Sequence, residues 1–246
     1  MLSYAKVKEF WYLLDKYKDF PELTDLKYLW GDLKEYQRLF VFDQLLIVPQ
    51  GSRICEVGGG VCNVFEALLR KFPRAYECWS IDPLEGQGGG PKFSSLPWDH
   101  NGEVKLVREK IGDFSLKLPS GYFDVLFSLS VLEHISLEEW EKCFTDMVRV
   151  CKPGALIIHT VDGSVDFPIG EQYIKAMIEL PGKVGLRLLH PEIGFDITMV
   201  RNDPQTHYVS PTAYIRWLKH FPAGRNTLKD GIYCRVTAFN VIYIKS

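Results

Sequence analysis

The sequence predicts an α/β fold in which strands and helices alternate around a parallel sheet. From residue 53 onwards, short β-rich runs alternate with helical stretches, a pattern typical of βαβ units. A turn of three glycines, Gly58 to Gly60, directly follows the first of these runs. The chain has 246 residues, of which 46% are hydrophobic and 24% are charged. This length and composition indicate one large core with added segments rather than two independent domains.

Residues 1–50 are expected to form a helical cap ahead of the core. Apolar residues recur at roughly helical spacing in the stretches 10–17 and 39–46. Phe20-Pro21-Glu22 separates the two stretches, because proline interrupts a helix. Four aromatic side chains of this segment either enclose a binding site or belong to the core: Trp11, Tyr12, Tyr28 and Trp30.

Residues 51–161 are expected to hold the sheet. The predicted strands and helices of this segment follow in order: a strand at 53–57, a helix at 64–72, strands at 76–81, 104–107 and 125–129, a helix at 137–150 and a strand at 155–161. Ser136 and Glu139 match a capping box at the start of the 137–150 helix, and Lys152-Pro153-Gly154 is expected to stop it. Residues 85–101 contain a glycine-rich run that forms either a lid or a plain loop.

The last third of the chain departs from this alternation. Residues 162–211 contain five prolines and are predicted to be an insertion. Residues 212–246 are predicted to return to the core with a helix near 212–220 and a β-rich run at 234–244.

Charge, hydropathy and cysteine content argue against several classes of protein. The net charge is −2 and no long run of Lys and Arg is present, which argues against a nucleic-acid partner. The start lacks the apolar run of a signal peptide, and no apolar stretch reaches the length of about 18 residues that a membrane helix needs. We therefore expect a cytoplasmic protein without a membrane partner. The cysteines form no C-x-x-C pair and are expected to be packed, reduced thiols: Cys55, Cys62, Cys78, Cys143, Cys151 and Cys234.

The glycine turn is the first feature that indicates a ligand. A strand ending in Glu56-Val57 runs into Gly58-Gly59-Gly60, and glycines at a strand-to-helix turn let a ligand approach the backbone and the helix N-terminus. A plain tight turn is an alternative, and so is the dinucleotide fingerprint that Gly58, Gly60 and Asn63 half match. Asp82 ends the next strand about 20 residues later, where an acid can accept both hydroxyls of a ribose.

Two further segments make the pattern specific. Gly112-Asp113-Phe114 follows the strand at 104–107, and residues 123–135 read F-D-V-L-F-S-L-S-V-L-E-H-I. With the E-x-G-x-G loop and K-P-G before the last core strand, they resemble the class I S-adenosylmethionine-dependent methyltransferases over about residues 51–161 and the closing strand. The resemblance implies a three-layer α/β/α, Rossmann-like sheet, mostly parallel with an antiparallel C-terminal strand. It also implies S-adenosyl-L-methionine as the cofactor.

The resemblance assigns cofactor contacts to particular residues. It puts the methionine end at Glu56 and the glycine turn, the ribose at Asp82, the adenine amine near Asp113, and the backbone of Phe114 and Leu129 around the rest of the pocket. Two features depart from the family pattern, because Cys62 replaces the third glycine and the interval from Asp82 to Asp113 is unusually long. The expected cofactor-binding residues are thus Glu56, Gly58, Gly59, Gly60, Asp82, Asp113, Phe114 and Leu129.

Two histidines are candidate catalytic bases. The neutral imidazole of His134 is suited to take a hydroxyl proton near pH 7, and the alternative is that the ring fixes the local loop by hydrogen bonds. His207 lies in a segment that resembles the H-x-x-[ST]-P stretch of small-molecule members of the family, and it is either a base, an acceptor contact or a helix-entry residue. His159 is expected to lie inside the sheet without a chemical role. No metal is expected, because Ser130 stands where metal-dependent quinone-pathway relatives carry a glutamate, which leaves Glu133 a structural role.

The predicted function is O-methylation of a small metabolite or glycan hydroxyl by in-line methyl transfer. No [DN]-P-P-[YF] segment follows the fourth core strand, which argues against methylation of nucleic-acid amines. A non-catalytic S-adenosylmethionine-binding regulatory protein is one alternative. A nicotinamide-dependent oxidoreductase is another, disfavoured by Glu56 and the V-L-E-H-I segment. The segment 162–211 is predicted to be an insertion on the side of the domain where the acceptor binds. The sequence does not indicate the oligomeric state.

Overall fold

The chain builds one mixed sheet from eight strands within the residues that the computed structural model describes, which are 1–24, 32–60, 63–83, 103–189, 195–210 and 235–246. In chain order the strands are β1 (Leu2–Tyr4), β2 (Arg53–Val57), β3 (Glu77–Ile81), β4 (Val104–Val107), β5 (Phe123–Leu129), β6 (Cys151–Ser164), β7 (Leu186–Leu188) and β8 (Val236–Lys245).

Helices cover both faces of this sheet. They are α1 (Val7–Lys16), α2 (Pro21–Thr24), α3 (Asp32–Leu45), α4 (Asn63–Lys71), α5 (Leu137–Val150), α6 (Pro168–Lys183) and α7 (Ile197–Asn202). One buried apolar cluster joins α1 to α4 to the first face, and a second joins α5 to α7 to the other face. The predicted three-layer α/β/α architecture is confirmed.

The strand order is β1-β8-β6-β5-β2-β3-β4, and β8 is the strand that runs against the others. The pairs from β4 to β6 are all parallel, which confirms the mostly parallel sheet with an antiparallel C-terminal strand. β1 and β7 share the outer edge of β8, where β1 pairs with residues 239–241 and β7 with residues 243–245. The chain runs from β2 outward to β4 and then returns to β5 on the other side of β2, so strand order reverses between β2 and β5.

The helix over 137–150 ends as predicted but starts with a different contact. The Ser136 hydroxyl donates to the Glu139 carboxylate at 3.2 Å and makes no hydrogen bond to a backbone N–H, so the predicted capping box is wrong in this detail. Lys152-Pro153-Gly154 lies inside β6, where the register with β5 shifts between the pairs Phe123↔Cys151 and Val125↔Leu156. The extra residues form a bulge that accommodates the proline.

The predicted core strands are present, and the sheet also extends beyond residues 51–161. β1 adds residues from the segment expected to be helical, β6 runs on to Ser164, and β7 was not predicted. Trp11 and Tyr12 are exposed, which excludes the core reading for these two side chains. The glycine-rich loop, the helix near 212–220, Tyr28 and Trp30 lie wholly or largely outside the described residues.

The described cysteines are buried free thiols, as predicted: Cys55, Cys78, Cys143 and Cys151. Cys62 and Cys234 lie outside the described residues. Among the helices of the described ranges, none combines the length and the apolar character that a membrane crossing requires.

Candidate functional site

The glycine turn after β2 and the end of β3 are joined by hydrogen bonds. The Gly58 N–H donates to the Ile81 carbonyl at 2.8 Å, and the Gly60 N–H donates to Asp82 Oδ2 at 2.9 Å. The Asp82 N–H in turn donates to the Val107 carbonyl on β4 at 3.0 Å. The acid that was predicted to hold a ribose therefore lies directly against the glycine turn.

Glycine is required at Gly58 for two independent reasons. Its φ of 69° lies in the left-handed region, and so does the φ of 47° at Gly60. A Cβ at Gly58 would also lie 2.4 Å from Val131 Cγ2, so the turn packs closely against the residues that follow β5. Glu56, the last but one residue of β2, is buried beside this turn.

The turn after β4 is held by a side chain that sequence reasoning missed. Asp146 of α5 is fully buried, and its Oδ2 accepts hydrogen bonds from the Gly112 N–H at 2.7 Å and from the Phe114 N–H at 3.2 Å. Asp113 lies between these two residues, with an exposed side chain 3.5 Å from Lys142 Nζ. An acid on the apolar stripe of an amphipathic helix is the sequence signal that could have identified Asp146.

The end of β5 is tied to the cap. Ser130 has a φ of 49°, its N–H donates to the Thr160 carbonyl at 2.9 Å, and its hydroxyl donates to Gln37 Oε1 of α3 at 2.8 Å. Gln37 Nε2 donates to Asp162 Oδ1 at 2.6 Å, and Lys34 Nζ lies 3.2 Å from Asp162 Oδ2. This polar chain, also missed from the sequence, links α3 to the carboxyl ends of β5 and β6.

His134 and Glu133 lie in the short 3-10 turn that follows β5. The His134 side chain reaches solvent, but the protein packed beneath it lowers its pKa below 6.5, and Lys34 adds to this effect. Its imidazole is therefore neutral at pH 7. Glu133 Oε1 accepts a hydrogen bond from the Asp162 N–H at 3.2 Å. Burial, reinforced by the Asp162 carboxylate, raises the pKa of Glu133 to about 8.

His207 lies in a different environment. The side chain is buried, and its ring centroid lies 4.5 Å from that of Phe10 and 6.4 Å from that of Tyr36. The backbone N–H of His207 donates to the Ala5 carbonyl at 2.8 Å, and the backbone carbonyl of His207 accepts a hydrogen bond from the Thr237 hydroxyl at 2.7 Å. His207 is thus enclosed between the cap helices and β8, whereas His134 is open to solvent.

A buried tyrosine joins the cap to β8 next to His207. The Tyr36 hydroxyl donates to Glu9 Oε2 at 2.6 Å and accepts from Asn240 Nδ2 at 2.7 Å. Burial raises the pKa of Tyr36 well above its usual value, and burial also raises the pKa of Glu9. The tyrosine is therefore a neutral donor to the Glu9 carboxyl group at physiological pH.

His159 lies inside β6, where it was expected. Its Nδ1 is 2.7 Å from the Ser128 hydroxyl, and complete burial lowers its pKa to about 3. Within the described ranges, no group of three or more His, Cys, Asp or Glu side chains is arranged to hold a metal ion.

Residues 55–159 match a family model described as a methyltransferase domain. This segment is a class I methyltransferase domain. The match begins in β2, ends in β6, and includes the glycine turn, Asp82, Asp113 and His134. The resemblance to the class I S-adenosylmethionine-dependent methyltransferases is confirmed, and S-adenosylmethionine is the cofactor of that family. The cap helices and His207 lie outside the matched methyltransferase domain.

Among curated proteins, the uncharacterized protein Rv1509 of Mycobacterium tuberculosis is 32% identical over 123 residues, which are 49% of this chain and 39% of that protein. The chain therefore spans less than half the length of the curated relatives it matches. The solved structure of Haemonchus contortus phosphoethanolamine N-methyltransferase 2, with phosphomonomethylethanolamine and S-adenosylhomocysteine, has a TM-score of 0.55 at 14% identity and covers 95% of this chain and 59% of that chain. The solved structure of the [4+2]-cyclase SpnF has a TM-score of 0.59 at 16% identity, and the match covers 86% of this chain and 82% of that chain. These structures share the fold of the methyltransferase domain, and their different activities show that the fold alone does not specify the reaction.

Proposed function

We propose that the chain is an S-adenosylmethionine-dependent methyltransferase that methylates a hydroxyl group of a small metabolite or glycan. The hydrogen bond from the Gly60 N–H to Asp82 carries the proposal, because an acid suited to accept the hydroxyls of a ribose lies there beside a turn of bare backbone. The strand order supports this position, since ligands of open α/β sheets bind at the carboxyl ends of strands where the order reverses.

Each contact to the cofactor is part of the proposal. Glu56 and the turn of Gly58, Gly59 and Gly60 would hold the methionine end, and Asp82 would bind the ribose. The amine of the adenine would donate to Asp113, with the backbone of Phe114 and the half-buried Leu129 beside the ring. These residues follow or end adjacent strands of the sheet, so one elongated ligand can reach all of them.

Alignment of the two reactants supplies most of the rate acceleration in this proposal. S-adenosylmethionine carries a methyl group on a sulfonium, and holding an acceptor in line with it can contribute about 7–11 kcal/mol. A hydroxyl acceptor must lose a proton during transfer. His134 is neutral at pH 7 and solvent-accessible after β5, which suits it to accept that proton at a ring nitrogen. His207, enclosed by Phe10 and Tyr36, is proposed as a contact on the acceptor side.

A turnover assay tests the reaction. Purified protein is incubated with S-adenosylmethionine labelled in the methyl group and with sets of phenolic, sugar and aliphatic hydroxyl compounds. We expect label in one hydroxyl class, and at least about a hundredfold slower turnover in His134→Gln with unchanged donor binding. Label that appears only with amines or carbon acids would overturn O-methylation. Donor binding without turnover on any of these acceptors or in cell extract would favour a regulatory binding protein.

A further inference from the structure

The turn after β4 has a backbone conformation that needs external support. Gly112 has a φ of 95° and Phe114 a φ of 55°, and the left-handed region costs a residue with a side chain about 1–2 kcal/mol. Both N–H groups donate to the same oxygen of Asp146, which stabilises the two residues in these conformations. A Cβ at Gly112 would lie 3.1 Å from Cys143 Sγ, so the turn packs directly on α5.

Arg149 completes this support. Its Nε donates to Asp146 Oδ1 at 2.8 Å, which compensates the buried carboxylate. Its other nitrogens donate to the Leu118 carbonyl at 2.9 Å and to the Ser115 carbonyl at 3.1 Å. One ion pair on α5 therefore fixes the backbone on both sides of the turn, from Gly112 to Leu118.

The fixed turn presents polar and aromatic groups to solvent. The Gly112 and Phe114 amides face Asp146, and the side chain of Asp113 between them is 57% exposed. The Phe114 ring is 39% exposed although its own backbone is anchored. An exposed carboxylate next to an exposed ring can recognise a planar base that carries an amino group.

We propose that Asp146 and Arg149 are positioning residues for adenine recognition: they hold the turn so that the Asp113 carboxylate meets the amino group of a 6-aminopurine. The inference rests on the proposed donor site and assigns its base selectivity to two side chains that do not touch the ligand. A 6-oxopurine presents an acceptor instead of a donor to the Asp113 carboxylate and is therefore rejected. This selectivity depends on the orientation of the turn.

The test compares two ligands that differ at this position of the base. Dissociation constants of S-adenosylhomocysteine and S-inosylhomocysteine are measured by calorimetry for the wild type and for Asp146→Asn. We expect the wild type to prefer the adenine compound by at least about tenfold, as for a hydrogen bond to a charged group. We expect Asp146→Asn to reduce that preference to about threefold or less. Arg149→Lys keeps the charge, loses the planar donor geometry and is expected to shift the ratio in the same direction.

Asp124→Asn is the matched control. Asp124 also accepts a backbone hydrogen bond, from the Arg53 N–H at 2.8 Å, and also pairs with a cation, Lys152. It lies at the amino end of β5 and bonds to residues of β2 and β6 rather than to the turn after β4, so its replacement should lower stability without changing the ratio of the two affinities.

The outcomes separate the inference from the proposed function. A folded Asp146→Asn protein that keeps the wild-type ratio would overturn the inference, and so would a wild type that binds both ligands equally. If Asp146→Asn does not fold, Arg149→Lys takes its place. A folded Arg149→Lys protein that keeps the wild-type ratio of the two dissociation constants would then overturn the inference. A wild type that binds neither ligand overturns the donor site itself, and the inference with it.

Discussion

The hydroxyl of Ser130 at the end of β5 donates to Oε1 of Gln37 in α3, at 2.8 Å. Gln37 also donates to Asp162 at the end of β6, so one side chain of the cap joins two strand ends beside the proposed methyl donor. Because Ser130 has a φ of 49°, its conformation is one that external contacts must maintain.

Replacement of Gln37 by Met should therefore affect the acceptor more than the donor. The change leaves the Ser130 hydroxyl and the Asp162 carboxylate without this amide, and we expect KM for the acceptor to rise at least about fivefold. The dissociation constant of S-adenosylhomocysteine should change less than about threefold. Gln44→Met, near the other end of the same helix, is the control and should leave both constants unchanged. Equal effects of the two substitutions on acceptor KM would contradict the role of Gln37.

Alanine substitutions at two glycines with positive φ distinguish the cost of backbone strain from the cost of a steric conflict. Gly58→Ala combines an unfavourable backbone with a Cβ 2.4 Å from Val131, whereas Gly51→Ala has a φ of 86° and meets nothing within 4 Å. We expect Gly51→Ala to lower the free energy of unfolding by about 1 kcal/mol and to leave donor binding intact. Gly58→Ala should cost about 2 kcal/mol or more and weaken donor binding at least about tenfold. Denaturant unfolding and calorimetry measure the two effects, and normal donor binding by Gly58→Ala would contradict the assigned turn.

The raised pKa of Glu133 predicts that the free energy of unfolding depends on pH. Its pKa is raised from 4.5 to about 8 by burial and by Asp162, so the folded state holds a proton that the unfolded state releases. This contribution is fully present below about pH 4.5 and is lost as the pH rises through 8, with a slope of up to about 1.4 kcal/mol per pH unit. Glu133→Gln should flatten the decline in the free energy of unfolding between pH 5 and pH 8.5.

The exposed residue Glu138 provides the control for this measurement. Glu138→Gln should retain the wild-type decline, because its side chain lies in solvent. A Glu133→Gln protein whose stability falls with pH as steeply as that of the wild type would show that this carboxyl group is not the source of the slope.

The sequence predicts what is encoded locally. The β-rich runs at 53–57 and 104–107 match their strands to the residue, since each is a short run of mainly β-forming residues flanked by polar residues or glycine. The bounds predicted for the helix 137–150 are equally accurate, because its apolar stripe repeats over 14 residues. The pairing of the glycine turn with Asp82 at the end of the next strand could be recognised, because Gly60 and Asp82 belong to one short βαβ unit.

Contacts between distant segments could not be predicted. β1 has three residues, too few for a period, and it exists because it pairs with β8 at the other end of the chain. Gln37 and Asp162 are 125 positions apart, and neither residue type indicates its partner. The Asp146 carboxylate bonds a turn that lies more than 30 positions earlier, and only its place on an apolar stripe could have been noticed.

The central claim is that the glycine turn and Asp82 bind the methyl donor, and calorimetric titration with S-adenosylhomocysteine tests it most directly. We predict micromolar binding by the wild type and by Asp124→Asn, and at least about tenfold weaker binding by Asp82→Ala, because the ribose hydroxyls lose a charged acceptor. Absence of binding by the folded wild type, or equal binding by Asp82→Ala, would contradict the account.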